Sequence, residues 1–260
     1  MSRLRSGISK SASVWMIVGV TILLALGVML VPRVAQPAWY HDFADKRGLL
    51  GIPNFGDVAS NIPFAILGVL GLVFLLQHRE RFVDRREQWP YLAVFVGLVL
   101  TCVGSSYYHL APDNARLLWD RIPMTIVFMG MVASVIAERI SLKAGLVALP
   151  FLLALGVLSV LQWYRSELLG AGDLRFYASV QIYAGAILLV ALLLRPKYTR
   201  SSDLAIVVGW YVVAKLLESF DKPIFSVGHI VSGHTLKHLA GAAAGFWILR
   251  MLQRREPIAL

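Results

Sequence analysis

Three short segments put imidazole, carboxylate and hydroxyl groups into otherwise apolar surroundings. They are Gly104-Ser105-Ser106-Tyr107-Tyr108-His109, Trp119-Asp120-Arg121-Ile122-Pro123-Met124 and Gly233-His234-Thr235-Leu236-Lys237-His238. Ionisable groups in such surroundings are costly, which makes each a candidate for function. Residues four apart share a helix face, so Ser105 lies one turn before His109, and His234 and His238 can aim two imidazoles at one ion. Alone, the histidine pair is equally compatible with haem ligation or with hydrogen bonding across a bundle. Adding His109 gives three neutral imidazoles with a fourth position left for water. That is the ligand count of a catalytic zinc, which lowers the pKa of bound water to about 7. Asp120 suits the proton acceptor of such a site, and the Ser105 hydroxyl can donate to a water or to a developing oxyanion. Each also has a plainer role: Asp120 as a cap at the start of its helix, with Pro123 in the first turn, and Ser105 as a small-residue contact beside Gly104.

The elements that carry these groups are membrane helices. Of the 260 residues 58% are apolar and only 15% charged, far from the roughly 45–50% and 25% of soluble domains. Apolar runs bounded by charge, Pro and Gly predict eight spans at 13–33, 56–77, 90–110, 118–138, 144–163, 175–194, 203–220 and 233–252, each long enough to cross roughly 30 Å of hydrocarbon. The first, preceded by Arg3, Arg5 and Lys10, is longer than the 7–15 apolar residues of a signal peptide and reads as a retained helix. The formal charge of +10 would point to nucleic acid in a soluble chain, but here it sorts by topology. With the N-terminus inside, cytoplasmic loops carry Arg79, Arg81, Arg85 and Arg86, then Arg139 and Lys143, then Arg195, Lys197 and Arg200, and finally Arg250, Arg254 and Arg255. The opposite loops carry chiefly Lys46, Arg47, Arg116, Arg165 and Lys222. This bias predicts both termini in the cytoplasm. The third span then ends at His109 while the fourth and eighth begin near Asp120 and His234, so all three segments meet at one extracytoplasmic depth, with His238 about 6 Å deeper. The single cysteine, Cys102, excludes an internal disulfide and a thiolate metal cluster.

The loop ahead of the second span, Tyr40-His41-Asp42-Phe43-Ala44-Asp45-Lys46-Arg47 and on to Asn54-Phe55-Gly56-Asp57, holds hard oxygen donors of the kind that suit calcium, although Lys46 and Arg47 oppose a strongly anionic cage. Asp57 also reads as a cap on that span, and Asn61 as a hydrogen-bonding residue to a neighbouring helix. Lys215, Glu218 and Asp221 are read as a paired network at the outer end of the seventh span. His41, His78 and His229 are read as polar tips at the headgroup level.

Ser105-x-x-x-His109, then Asp120 followed by a Pro-Met pair, then His234-x-x-x-His238 resembles the alkaline ceramidase family, part of a membrane hydrolase superfamily that includes the adiponectin-type receptors. The similarity covers about residues 40–252, with Asn54 to Asn61 resembling the family's approach to its first core helix. The resemblance implies an all-α bundle with a seven-helix core (56–252), preceded by a basic N-terminus with an additional helix (1–35) and an extracytoplasmic loop (36–55), and followed by a cytoplasmic tail (253–260). It implies zinc on His109, His234 and His238, Asp120 activating the metal-bound water, Ser105 near the reacting carbonyl, and hydrolysis of the N-acyl amide bond of a ceramide-like lipid. It also implies calcium, for which Asp42 and Asp45 are the best matches. The sequence departs from the family at Asn54, where an acidic ligand is expected, and at Lys46 and Arg47. A metal site near the outer leaflet is most easily reached by a substrate already dissolved in the bilayer, which makes a membrane lipid the expected partner. The rival readings are a conduit for metal ions or protons, against which stand the apolar inner halves of the third, fourth and eighth spans, and a receptor-like protein with a structural zinc. Short loops and the absence of organelle signals point to a bacterial inner membrane.

Overall fold

The computed structural model describes residues 8–258, which form an all-α bundle without β-strands. Each of the eight expected spans is a helix: α1 (Lys10–Leu30), α2 with α3 (Phe55–Ala59 and Ile62–Gln77), α4 (Gln88–Leu110), α5 (Asn114–Arg139), α6 (Leu142–Leu168), α7 (Arg175–Ala191), α8 (Asp203–Ser219) and, after the short α9 (Asp221–Ser226), α10 (Gly233–Arg254). Five helical segments, Lys10–Leu30, Phe55–Gln77, Arg85–Leu110, Asn114–Arg139 and Leu142–Leu168, are long and apolar enough to cross a membrane, and α7 is a shorter apolar helix. The chain is a helical membrane protein. Its outward faces carry large apolar side chains such as Leu23, Phe151 and Leu193, as a surface solvated by lipid requires.

The second span is broken in two. The turn at Ser60 and Asn61 separates α2 from α3, and Pro63, whose missing N–H costs nothing in a first helical turn, starts the second piece. Helix α1 packs on α7 from outside the bundle, with Ser13 its buried residue. Its far end is tied down by Arg175, whose Nη1 donates to the carbonyls of Val31 and Val28 at 2.6 and 3.1 Å.

Close backbone approach sets the centre. Gly104 of α4 lies so near α5 that a Cβ there would fall 2.0 Å from the Trp119 carbonyl oxygen and 3.4 Å from the Asp120 nitrogen. Gly233, opening α10, faces the Leu217 carbonyl of α8 in the same way, at 2.3 Å. These two contacts fix the lateral positions of the helix ends that carry Ser105, His109, Asp120 and His234, the small-residue packing that membrane helices use in place of a hydrophobic drive.

At the opposite end of the bundle, Arg255 is buried and donates to Glu138 at 2.5 Å and to Tyr91 at 3.2 Å. The segment after it pairs with residues 197–199 through Thr199 N to Glu256 O and Ile258 N to Lys197 O. The expected tail is therefore docked as far as residue 258, while residues 1–7 of the expected basic N-terminus and residues 259–260 lie outside the described residues.

Replacing Gly104 with Ala forces α4 and α5 apart and should lower stability by about 1–3 kcal/mol. Thermal unfolding of the detergent-solubilised protein measures this. Gly209→Ala, where nothing lies within 4 Å of the added Cβ, should leave the midpoint unchanged or raise it.

Candidate metal centre

His109 sits in the last turn of α4, and His234 and His238 occupy successive turns at the start of α10. The three rings stand 4.8–4.9 Å apart, centroid to centroid, in edge-to-face pairs. One ligand atom from each lies within 4.8 Å of the other two. All three side chains are buried, and both ring nitrogens of His109 lack any hydrogen-bond partner. A buried imidazole nitrogen without a partner carries a desolvation cost that a bound ion relieves. A nitrogen donor set of this kind suits a borderline cation such as zinc. Among the described residues this is the one group of His, Cys, Asp or Glu side chains that converges in this way.

The surroundings orient the rings. Ser60 Oγ lies 3.1 Å from the Asp57 carbonyl, to which it donates, and 2.8 Å from His238 Nδ1. Its only proton being committed, Ser60 accepts from Nδ1–H, which leaves the Nε2 lone pair of His238 for an ion. The Asn54 side chain donates to the His109 carbonyl at 2.8 Å, from a residue in the left-handed region at φ 47° that Asn tolerates. Phe43 covers the cluster, its ring 4.7 Å from His109 and 4.3 Å from His234. The start of α10 is held by two caps: Ser232 Oγ accepts from the Thr235 N–H at 2.9 Å, and Asp221 Oδ1 accepts from the His234 N–H at 2.8 Å.

Asp120 is not a helix cap. The fourth span begins earlier than its apolar run, and α5 is capped by Asp113, whose Oδ1 accepts from the Arg116 N–H at 2.7 Å. Asp120 therefore lies in the second turn, buried, and lines a cavity of about 390 Å³ together with Ser105 and His238. The Ser105 hydroxyl is buried beside the Asp120 carboxylate and forms no close hydrogen bond. Phe64, Met124, Phe128, Leu188 and Ile248 are among the apolar residues of the remaining wall.

Asp57 does not cap its span either. It is fully buried inside α2, where Oδ1 accepts from Thr235 Oγ1 at 2.7 Å and Ser232 Oγ at 3.3 Å. Asn61 bonds back to the Asp57 carbonyl at 2.8 Å within its own turn, not across to a neighbouring helix. The expected network at the end of α8 is present, but with a different third member. Glu218 accepts from Lys215 and from Lys237, the latter at 2.9 Å, while Asp221 caps α10. Lys237 carries the network to the histidines, its Nζ 3.1 Å from His234 Nε2.

Asp42 and Asp45, the acids matched to calcium, do not converge on a common site. Asp42 accepts from Lys46 at 2.5 Å and Lys222 at 2.6 Å, and these bonds hold its carboxyl down to about 2. Asp45 is chelated by Arg47 through two nitrogens at 2.7 and 2.8 Å, and the same guanidinium donates to the carbonyls of His229 and Ile230. The guanidinium thus satisfies the oxygens a cation would have drawn together. His41 joins Tyr108 at 2.8 Å to Asn114 at 3.0 Å, His78 meets Glu80 at the surface, and none of the remaining histidines reaches the triad.

No protein-family model matches the chain, and no curated protein is significantly similar to it. What the fold and site define is a class: a helical membrane protein with a buried cluster of three histidines at metal-ligand spacing beside a largely apolar cavity.

Removing an imidazole should abolish tight metal binding. Wild type is expected to retain close to one zinc per chain by elemental analysis, and His109→Ala none. Ser60→Ala, which frees the His238 tautomer, should weaken zinc by about 10–100-fold in chelator competition.

Proposed function

We propose that the protein is an integral membrane zinc-dependent amidohydrolase that cleaves the N-acyl amide bond of ceramide-like lipids to a fatty acid and a sphingoid-type amine. The observation that carries this reading is that Ser105, Asp120 and His238 line one cavity whose remaining wall is largely apolar. The motif order shared with the alkaline ceramidases supplies the reaction class.

His109, His234 and His238 would hold the ion. When bound there, zinc supplies polarisation of a carbonyl and acidification of a water. Asp120 accepts a proton from the attacking water as its oxygen bonds to the acyl carbon. It then returns that proton to the amide nitrogen as the C–N bond breaks, so one water is consumed and neither an oxidant nor a reductant is needed. Ser105 Oγ–H, beside Asp120, donates to the carbonyl oxygen as negative charge builds on it. Phe43, packed against two of the histidines, keeps bulk water from the triad, which strengthens both interactions. The acyl chain lies among the apolar residues of the cavity wall.

The distribution of Lys and Arg favours both termini in the cytoplasm, with the site near the extracytoplasmic face, and the short loops favour a bacterial inner membrane. The charged residues of the lining, Asp120, Arg121, Lys215, Glu218 and Lys237, all lie within about two turns of the adjoining ends of α5, α8 and α10, which favours a reaction centre over a path for ions.

Zinc-loaded wild type in detergent should release fatty acid from fluorescent N-acyl sphingoid lipids. Asp120→Asn should cut kcat by about 10²–10⁴-fold while keeping its zinc. A wild type that binds zinc and releases nothing from the lipid panel, or an Asn variant as active as wild type, would overturn the assignment.

A further inference from the structure

Charge in the cavity does not balance. Arg121, Lys215 and Lys237 face Asp120 and Glu218. Glu218 is shared by both lysines, but Arg121 forms no ion pair among the described residues. Its side chain is 4% exposed. One nitrogen, Nη2, donates to Gln36 Oε1 at 2.6 Å, while Nη1 is buried with no partner at all. Trp163, Tyr177 and Tyr40 surround the guanidinium, their ring centroids 4.1, 4.6 and 5.6 Å from Cζ. Aromatic faces hold such a plane in place and soften its charge, but they accept none of its in-plane protons. A buried cation with an unsatisfied N–H and no direct ion pair destabilises a fold unless a ligand completes it.

We infer that Arg121 is the headgroup anchor of the substrate, and that the lipid bound here carries an anionic oxygen group of the phosphate or sulfonate kind. Such groups match the guanidinium fork, which offers planar, directed donors where an ammonium offers a point charge. Arg121 directly follows Asp120 and lines the same cavity, so a headgroup held on it lies next to the group proposed to move the proton. Gln36 and Tyr40, both cavity-lining, stand at the same polar end, and Met124 and Phe128 begin the apolar reach one turn and two turns further along α5. The inference specifies the substrate class of the hydrolase proposed above and rests on that reading for the word substrate; the anion subsite itself rests on Arg121 alone. An anionic oxygen group at Arg121 can come from a lipid headgroup or from the carboxylate of a released fatty acid, and the test separates the two.

Binding of hexadecyl phosphate, hexadecanoate and hexadecanol to the zinc-loaded full chain in a neutral detergent, followed by thermal shift, measures the subsite without turnover. Hexadecyl phosphate is expected to bind wild type at least tenfold more tightly than hexadecanol, to weaken roughly 30-fold or more in Arg121→Gln, and to fall between the two in Arg121→Lys, which keeps the charge without the fork. Hexadecanoate is expected to depend on Arg121 far less. Equal binding of the phosphate and the alcohol to wild type overturns the proposal whether or not the Gln variant folds. Equal binding of the phosphate to wild type and to either variant also overturns it, and so does a hexadecanoate affinity that matches the phosphate and is lost with it. Failure of the hydrolase reading is seen separately, as the lack of fatty acid release from N-acyl lipids by wild type, and leaves these binding comparisons standing.

Discussion

The constraint on which the structure turns is that three neutral imidazoles, their rings 4.8–4.9 Å apart, are buried where water cannot solvate their ring nitrogens. Edge-to-face packing accounts for the closeness of the rings, but not for the two partnerless nitrogens of His109. In an apolar bundle that cost has to be met by the rest of the fold. It is met by glycine contacts that bring α4 to α5 and α8 to α10, by the double cap on α10, and by a serine that settles the tautomer of one ring. These arrangements are local to the cluster and fix the directions of its rings, as a metal-ligand set would need.

Around this centre the polar groups divide into those already satisfied and those left open. Asp57, Asp221, Ser232 and Thr235 are bonded to one another or to backbone, and they hold α2, α9 and α10 together. Asp42 and Asp45 are neutralised by cations of their own and neighbouring loops. Buried without a partner around the centre are both ring nitrogens of His109, the Ser105 hydroxyl and one nitrogen of Arg121, together with the second carboxylate oxygen of Asp57 and the side-chain oxygen of Asn61. The division separates structural polarity from chemical polarity more sharply than residue type does: four of the acids near the site are scaffold, and Asp120 alone adjoins the open groups on the cavity wall.

The helices were legible because a membrane span is a composition signal, and each apolar run became a helix within a few residues. The triad was legible because two of its members lie four apart on one helix and the third ends a run of matching topology. The cap roles failed for two reasons: α5 begins four residues before its apolar run, which puts Asp120 in the second turn, whereas Asp57 does lie in the first turn of α2 but its carboxylate accepts from Thr235 and Ser232 instead of its own backbone. The segment between α1 and α2 was not legible at all. Its order comes from distant partners, with His41 held by Tyr108 and Asn114, Ala44 by Asp221, and Arg47 by the carbonyls of His229 and Ile230. No local periodicity encodes such contacts, and the same is true of Phe43 over the histidines.

The spread of the triad along the chain has a consequence for biosynthesis. His109 and the covering Phe43 are made early, and the two other imidazoles arrive only with α10, after four more helices have been threaded into the bilayer. Until then the half-built bundle offers a single ring nitrogen, too few to capture a metal ion from the cell's buffered pool. A metal ion that needs all three imidazoles can therefore be held only once α10 is in place, and a chain stalled before α10 leaves open the part of the cavity that α10 lines.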